Sequence, residues 1–415
     1  MKTQKPVVLY ISNYAGFLGA NRSLYQLILE LKKEEQITPI VLLPCAGLLS
    51  DKLDAIGVKV ITHGFYFSVV QASGFKERIK GVCRSLWNFT HIFKIFFKIR
   101  KYNINIIHTN TSVVDIGVYL SIMMKVKHVW HIREFAQQHY HFKYSFGEKI
   151  ARLMYAKGAD RIIVISEALR LYYSKFVEPS NIIKIYNGLN IEDYAFNDVK
   201  QTKVLEIALV GLLHPSKHQD IVINAISILV HQYNISCIHL HIFGNSSSVA
   251  YFSDLKNIVT SNSLENYVTF HGYVDNMVDV LSHMHVGVLA SEFEAFGRVT
   301  IEYMLSKMIA VVSDSGANTE LVVNGVTGYV FTLNDIQGLS RIIYHILDNP
   351  NERSKIISTA YNYAVENFSS SINFCNTHIS VSQSSIIIEG GLLLIDISFS
   401  PLYLLVLGHP SLLLY

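Results

Sequence analysis

Two acids, Glu294 and Glu302, lie within the segment from Ser291 to Gly328, on either side of the pair Phe296-Gly297. An apolar pattern of helical period follows the glycine, so the segment predicts a loop that leads into a helix. A glycine lets the backbone approach a ligand closely, and free amides at the start of a helix attract anions. An ionised glutamate only accepts hydrogen bonds, so two of them suit a partner rich in hydroxyl groups. Amides for phosphate and carboxylates for hydroxyls together predict a site for a sugar nucleotide.

The whole segment resembles the signature of retaining glycosyltransferases of family 4, which carries two glutamates separated by seven residues. The motifs that carry this resemblance are the EAFG run at 294–297, Glu302, the small-residue turn with Glu320, and the NGxTG end at 324–328. In the family the first acid contacts the donor sugar and the second holds the ribose hydroxyls, which here implies Glu294 and Glu302. The resemblance also implies donor contacts from Phe296, Gly297 and Val299. The alternative is a surface acidic loop that caps an ordinary helix.

Loops elsewhere in the second half supply the expected phosphate contacts. A strand at 207–210 leads into Gly211, and relatives carry an arginine directly after this glycine and a lysine six positions beyond it. Lys217 matches the lysine, whereas Leu212 stands where the arginine is expected. Arg298 follows Gly297 at the start of a helix, where a guanidinium can bond two phosphate oxygens at once. We therefore expect Lys217 and Arg298 to form the phosphate clamp together. The alternative is that Arg298 is a surface residue paired with Glu292 or Glu294.

Two more segments of the second half resemble the strands and loops that cradle the nucleotide base in the family. They run from His239 to Gly244-Asn245 and over residues 268–274. The resemblance implies donor contacts from Gly211, Gly244, Tyr273 and Val274. The pair His239/His241 has no acidic ligand at metal spacing nearby, so packed or capping histidines are expected there.

The first half alternates strand-like and helical patterns, which is typical of a parallel sheet. Its first strand, Val7–Ile11, precedes a loop with Gly19 that opens a helix. The loop is not GxGxxG, so nothing supports a nicotinamide site. It resembles the family's first loop, which faces the catalytic cleft. The segments at 104–110 and 126–134 are predicted strands with polar ends, where ligands bind in open α/β sheets. A lone histidine there is more often structural, but the resemblance points to His131 as holding the donor sugar or the acceptor.

Composition limits the class of protein. A length of 415 residues predicts two domains, and 50% hydrophobic residues suffice for large cores. The net charge of +3 is too small to indicate nucleic-acid binding. Four scattered cysteines indicate a reducing compartment, so we expect a cytoplasmic protein. The chain contains no DxD and no HExxH motif, so no metal is expected to take part.

Two segments suggest contact with a membrane. Between Lys76 and Lys101, eight basic residues and one acid are interleaved with aromatic residues. Such a helix either lies on an anionic membrane surface or packs on the core with its basic face exposed to solvent. The tail after Lys355 has no Lys or Arg, and 397–415 is uncharged but broken by Pro401, Gly408 and Pro410. A non-native or shifted reading frame is the first interpretation of the tail, and a peripheral membrane anchor is the second.

These observations predict an α/β protein with two doubly wound Rossmann-like domains that face a central cleft, the GT-B arrangement. The expected divisions are an acceptor-side domain at 1–190, a nucleotide-sugar domain at 191–370 and an atypical tail at 371–415. The activity that the resemblance implies is retaining transfer of a hexose from a UDP- or GDP-sugar to a glycan or lipid-linked acceptor in cell-surface polysaccharide synthesis. The expected location is the cytoplasm, or the inner face of the cell membrane. The alternatives are a sugar-nucleotide epimerase of similar fold and a catalytically silent relative that binds the donor.

Overall fold

The computed structural model of the chain describes residues 5–71, 74–135, 142–194, 203–370, 378–382 and 385–389. It contains two compact units, one made of Met1–Leu189 with Ser370–Tyr415 and the other of Asn190–Ser369. The sequence predicted a boundary after residue 190 and a separate tail from 371. Most of that tail lies outside the described residues, so its separation stays a prediction.

The first unit is built on a parallel sheet with the strand order β3-β2-β1-β5-β6-β8-β9. Its described strands are β1 (Val7–Ile11), β2 (Thr38–Leu43), β3 (Lys59–Thr62), β4 (Val69–Gln71), β5 (Ile106–Thr109), β6 (Lys127–Ile132), β7 (Phe142–Tyr144), β8 (Arg161–Val164) and β9 (Ile182–Lys184). Strands β4 and β7 form a separate antiparallel pair. The described α-helices are α1 (Gly19–Lys33), α2 (Leu48–Ala55), α3 (Gly74–Ile99), α4 (Ile116–Met124), α5 (Glu148–Lys157) and α6 (Glu167–Tyr173).

Alternate residues of β1 explain why this sheet is covered on both faces. Val8 and Tyr10 join an apolar cluster with α1 and α2, whereas Leu9 and Ile11 join a second cluster with α3 and α4. A strand buried on both faces needs a continuous apolar run, and VVLYI is one. The sequence pattern and the two-sided packing therefore agree.

The second unit repeats the plan with the strand order β12-β11-β10-β13-β14-β15, all neighbours being parallel. Its strands are β10 (Leu205–Val210), β11 (Ile238–Phe243), β12 (Val268–Gly272), β13 (Val286–Leu289), β14 (Ile309–Ser313) and β15 (Tyr329–Phe331). Its α-helices are α7 (Gln219–His231), α8 (Val249–Ser261), α9 (Met277–Leu281), α10 (Arg298–Leu305), α11 (Asn318–Leu321), α12 (Ile336–Asp348) and α13 (Pro350–Phe368). Short 3-10 helices lie at Arg100–Tyr102, Pro179–Asn181, Ile191–Tyr194 and Pro215–Lys217.

Both sheets reverse their strand order next to their first strand, between β1 and β5 in one unit and between β10 and β13 in the other. In open α/β sheets the loops at the carboxyl ends of the strands diverge at such a point and leave a crevice for ligands. The predicted class, two doubly wound Rossmann-like domains, is confirmed.

The C-terminal tail is described only as a hairpin of β16 (His378–Ser382) and β17 (Ser385–Glu389). The uncharged stretch 397–415, to which the reading-frame and anchor interpretations apply, lies outside the described residues. Within the described ranges, no helix is both long and apolar enough to cross a membrane.

Candidate active site

The loops after β10 and β13 meet at the strand-order reversal of the second unit. After β10 the chain forms the 3-10 turn Pro215–Lys217, in which the ring Nδ1 of His214 accepts a hydrogen bond from the Ser216 amide (3.2 Å). The carbonyl of Ser216 in turn accepts from the Glu292 amide at 2.9 Å, in the loop after β13. This backbone bond fixes the two loops side by side and sets the position of Lys217.

Lys217 and Glu294 form an ion pair at this junction. The Lys217 ammonium donates to Glu294 Oε2 at 2.8 Å and to the buried Ser291 hydroxyl at 3.1 Å. The two charged side chains are only 18% and 15% exposed, so solvent screens their attraction less than at a surface. Lys217 was predicted to bind phosphate, and in the structure it bonds the first signature acid, Glu294.

The backbone around Glu294 explains why small residues follow β14. The carbonyl of Glu294 accepts from the Ala317 amide at 2.8 Å, and its Oε1 accepts from the Gly297 amide at 3.2 Å. A Cβ on Gly316 would lie 2.2 Å from the Glu294 carbonyl oxygen, and Gly316 has a φ of +60°. Only glycine fits so close to the signature loop, which accounts for the small-residue turn in the motif.

Arg298 and Glu302 form a second ion pair, one turn apart on α10. The helix begins after Gly297, whose φ of +82° lies in the left-handed region. Arg298 Nε donates to Glu302 Oε1 at 3.0 Å, and the side chains are 21% and 6% exposed. Arg298 is therefore partly buried, with Glu302 as a carboxylate partner, whereas the alternative to a role in the clamp paired it with Glu292 or Glu294.

Three glycines line the carboxyl ends of β10, β11 and β12. The Gly211 amide donates to the Phe243 carbonyl at 2.9 Å, and the Gly244 amide donates to the Gly272 carbonyl at 2.7 Å. A Cβ on Gly244 would lie 1.9 Å from the Gly211 carbonyl oxygen, so the two loops touch through bare backbone. A Cβ on Gly211 would meet no atom within 4 Å. The edge above Gly211 is therefore open, as a phosphate site requires.

The remaining predicted donor contacts of the second unit differ in exposure. Leu212 is 46% exposed at the expected arginine position, and Tyr273 is also exposed. Val274 and Val299 are half-buried. Phe296 is buried against Phe368, with ring centroids 6.1 Å apart, so its side chain packs in the core.

Sequence reasoning missed Tyr303, which fixes α10 to the sheet. Its hydroxyl accepts from the Val210 amide at 3.0 Å, directly before Gly211. Its ring covers Gly287, where a Cβ would lie 2.2 Å from ring atoms. The lone glycine inside the buried strand β13 was the one available indication that an aromatic ring packs there. Tyr303 thereby connects α10, which carries Glu302, to the end of β10.

In the first unit, His131 lies at the end of β6, and its Nδ1 is 3.2 Å from His108 Nε2 on β5. Both rings are buried, and desolvation lowers the pKa of His108 to about 3 and that of His131 well below its ordinary value. Nearby Arg133 lowers both pKa values further. The two histidines are therefore neutral near pH 7.

Arg133, which the sequence did not single out, organises this cluster. Its Nε donates to Asn110 Oδ1 at 2.6 Å, and its Nη1 donates to Asn187 Oδ1. Glu134 accepts three hydrogen bonds, from the Thr111 hydroxyl (2.7 Å) and from the amide and hydroxyl of Ser112 (2.7 and 2.8 Å). Arg133 and Glu134, which directly follow β6, thus connect its end to residues 110–112 after β5.

Gly19 opens α1, and a Cβ placed on it would meet no atom within 4 Å. The loop before it is fixed by buried Asn21, whose amide nitrogen donates to the carbonyls of Tyr14 (3.0 Å) and Gly16 (2.7 Å). Gly19 and His131 belong to the first unit, and the other predicted site residues belong to the second.

The described part of the chain contains no group of three or more His, Cys, Asp or Glu side chains that could hold a metal ion. His239 instead pairs with the Thr269 hydroxyl (2.8 Å), and His241 pairs with His271 (2.9 Å) and Glu206 (2.8 Å).

Comparison with known proteins agrees with this architecture. HepE from Anabaena, solved in complex with UDP-glucose, superposes with a TM-score of 0.72 at 20% identity, over 89% of this chain and 97% of HepE. The uncharacterized glycosyltransferase MJ1069 of Methanocaldococcus jannaschii is 25% identical over 299 residues, which are 66% of this chain and 74% of MJ1069. The lipopolysaccharide core biosynthesis mannosyltransferase LpcC of Rhizobium leguminosarum is 33% identical over 102 residues, 25% of this chain and only 29% of LpcC.

Two family models match the chain in succession. The model described as Glycosyltransferase Family 4 matches residues 18–193, and that described as Glycosyl transferases group 1 matches residues 190–363. The first match contains the loop with Gly19 and the end of β6 with His131, and the second contains both ion pairs. The chain therefore belongs to the family 4, group 1 glycosyltransferases, as its signature segment predicts.

Proposed function

We propose that the protein is a retaining glycosyltransferase that moves a hexose from a UDP- or GDP-sugar to a glycan or lipid-linked acceptor in the synthesis of a cell-surface polysaccharide. The observation that carries the proposal is the Lys217–Glu294 pair, which stands at the carboxyl ends of β10 and β13 beside the start of α10. This is where an open α/β sheet binds nucleotides. LpcC, a lipopolysaccharide core transferase, supports the choice of a cell-surface acceptor.

The roles of the site residues in the proposed transfer follow from the charge that develops on the donor in the transition state. Breaking the bond between sugar and diphosphate leaves an oxocarbenium-like sugar and a diphosphate that gains negative charge. Groups fixed in place to face that diphosphate stabilise the transition state, because they need no reorganisation. We assign this role to Lys217, Arg298 and the first amides of α10. The proposal includes no metal, since these protein groups supply the positive charge.

In this scheme the two acids accept hydrogen bonds from the hydroxyl groups of the donor. Glu294 is assigned to the sugar hydroxyls and Glu302 to the ribose hydroxyls, and each carboxylate is bonded by a cation, Lys217 or Arg298. A phosphate group that attracts Lys217 and Arg298 competes with these pairs. Donor binding would then release carboxylate oxygens of Glu294 and Glu302 from these ion pairs. The released oxygens could accept hydrogen bonds from the donor's hydroxyl groups.

One observation favours a second candidate, a relative that binds the donor without turning it over. Leu212 replaces the expected arginine with an exposed apolar side chain. The cations assigned to the clamp also both bond carboxylates. The epimerase alternative gains no comparable support from the described residues.

The decisive experiment takes the full-length protein through thermal-shift and calorimetric titration with a panel of UDP- and GDP-sugars, followed by turnover assays with glycan and lipid-linked acceptors in EDTA. We expect one donor class to bind, and transfer to proceed with retained anomeric configuration by NMR. Glu302→Gln should weaken donor binding by about one to two orders of magnitude, because charge-assisted bonds are worth about 1.5–3 kcal/mol. The exposed Glu366→Gln is the matched control.

Each unexpected result of these assays would support a different alternative function or mechanism. Donor binding without turnover in the presence of every acceptor would favour the silent relative. Interconversion of the donor sugar without any acceptor would favour the epimerase. Inverted product would exclude retention, and loss of activity in EDTA that magnesium restores would exclude the metal-free scheme.

A further inference from the structure

Helix α3 buries one face only. Its inward positions are spaced three or four apart, as expected for a helix lying on a core, and they are Gly81, Ser85, Asn88, Ile92, Ile95 and Ile99. Asn88 fixes the helix to the loop after β3, because its Oδ1 accepts from the Tyr66 amide (2.7 Å) and its Nδ2 donates to the Tyr66 carbonyl (2.8 Å). The interpretation as a core-packing helix is therefore right for this face.

A second apolar row runs along α3 on the solvent side. We call it the outer stripe, and it consists of Ile79, Leu86, Phe89, Phe93 and Phe97. Phe89 and Phe97 are 54% and 60% exposed. Phe89 contacts Phe93 and Tyr119 of α4, with ring centroids 5.9 and 6.3 Å apart, and the exposed Ile122 extends the apolar surface along α4. Contiguous exposed apolar surface of this kind marks an interaction site.

A basic row lies beside the outer stripe on the same helix. Its members again follow helical spacing, namely Lys76, Lys80, Arg84, Lys94 and Lys98 of α3 and Lys101 of the 3-10 helix that follows it. The helix contains a single acid, Glu77, which lies 3.7 Å from Lys80. The Arg100 guanidinium stacks over the Phe97 ring at 5.0 Å, where the two rows meet. Trp87, partly exposed, stacks on His91 with centroids 3.4 Å apart.

We infer that the solvent side of α3 is a docking surface for an anionic lipid bilayer. The inference rests on the described residues of α3 and α4 and not on the proposed function. An apolar partner protein would bury the outer stripe but would leave a dense basic row without counter-charge. A bilayer with anionic headgroups matches both rows at once, since aromatic rings enter the interface while cations meet the headgroups.

The test uses full-length protein and sedimentation with vesicles of phosphatidylglycerol and phosphatidylethanolamine, compared with neutral phosphatidylcholine. We expect binding to the anionic vesicles that weakens steeply with salt. Replacing Lys94, Lys98, Arg100 and Lys101 by Gln should lower partitioning by a factor of roughly five per charge, several hundred-fold in total. The control replaces four exposed cations of the second unit by Gln, namely Lys203, Lys256, Arg341 and Lys355.

A second variant tests the apolar half of the surface. Replacing Phe89, Phe93 and Phe97 by Ser should abolish insertion, while circular dichroism and the unfolding temperature stay near those of the parent because these rings are exposed. In the parent, the emission of Trp87 should shift to the blue on vesicles, whereas buried Trp130 should not respond. Brominated lipids should quench Trp87.

Several outcomes would overturn the inference. One is equal binding to neutral and anionic vesicles. Another is unchanged binding in both variants together with loss on removal of residues 371–415, which would assign binding to the tail. A third is a parent dimer that becomes monomeric in the Phe-to-Ser variant, which would assign the outer stripe to a second copy of the chain.

Discussion

Arg133 Nη2 lies 3.4 Å from the Nδ1 atom of His131 and donates a hydrogen bond to it. A guanidinium only donates hydrogen bonds, so this contact favours the His131 tautomer in which Nδ1 accepts, from Arg133 and from His108 Nε2 (3.2 Å), and the proton resides on Nε2. Nε2 is buried and has no hydrogen-bond partner among the described residues. Arg133 therefore fixes His131 as a donor through Nε2, which suits a sugar hydroxyl or an acceptor oxygen and does not suit a general base.

This relationship predicts a graded response to substitution of His131. His131→Ala should lower turnover by about 10- to 100-fold, since a lost hydrogen bond to a buried partner costs about 1–3 kcal/mol. His131→Gln should retain part of the activity, because its amide nitrogen can donate from a similar place. The measurement is steady-state kinetics at pH 6–8, where the lowered pKa of His131 keeps the ring neutral. Greater activity in His131→Ala than in His131→Gln would contradict the donor assignment.

Substitutions in the Lys217–Glu294 pair are predicted to affect the free energy of unfolding and the turnover separately. Lys217→Ala leaves the largely buried Glu294 carboxylate without its cation, so the free energy of unfolding should fall by about 1–3 kcal/mol. Adding Glu294→Gln should restore most of that loss but not the turnover, since the double variant lacks both the Lys217 cation and the Glu294 carboxylate assigned to the donor. Urea unfolding and donor turnover of both single variants and of the double variant measure the two effects. Recovery of turnover in the double variant would remove Lys217 from the clamp.

Much of this arrangement could be predicted from the sequence because the motifs are local. Gly297, Glu294 and the buried run of β14 stand in one continuous segment, so spacing alone predicts loop, helix and strand. The expected bounds of the strands differ from the observed ones by a few residues, as at β5, where 104–110 was predicted and Ile106–Thr109 is found. Apolar runs extend beyond the residues that make strand pairs, which explains the difference.

Contacts between distant segments could not be predicted in the same way. The pairing of Arg298 with Glu302 has helical spacing and was available from the sequence. The contact of Lys217 with Glu294 depends on the backbone bond between Ser216 and Glu292, which no local pattern contains. The outer stripe of α3 also needed the structure, because periodicity alone does not say which of two apolar rows is buried.

Buried neutral histidines predict that the protein loses stability in mild acid. Desolvation lowers the pKa of His108 to about 3 and of His128 to about 4, against about 6.5 in the unfolded chain. Below pH 6.5 the unfolded state binds protons that the folded state does not, so stability falls as pH decreases from 6.5 toward 4. The expected slope is about 1.4 kcal/mol per pH unit for each histidine.

Urea unfolding at pH 7.5 and 5.5 measures this slope. His108→Gln should flatten it relative to the parent. Identical slopes for the parent and His108→Gln would show that the histidine is protonated in the folded protein.

Leu212 offers the sharpest test of the clamp. Its side chain is exposed directly after Gly211, at the open edge of β10, so an arginine can be introduced there without disturbing the core. If Arg298 and Lys217 carry the diphosphate, Arg298→Lys should depress turnover, because an ammonium cannot bond two phosphate oxygens in a fixed fork. Leu212→Arg in that background should restore part of the turnover, while Leu212→Gln, of similar length but uncharged, should not. Donor turnover and thermal unfolding of each variant are the measurements. Parent-like turnover in Arg298→Ala would place the clamp elsewhere, and a gain in turnover from Leu212→Arg in the parent would show that the natural leucine limits the reaction.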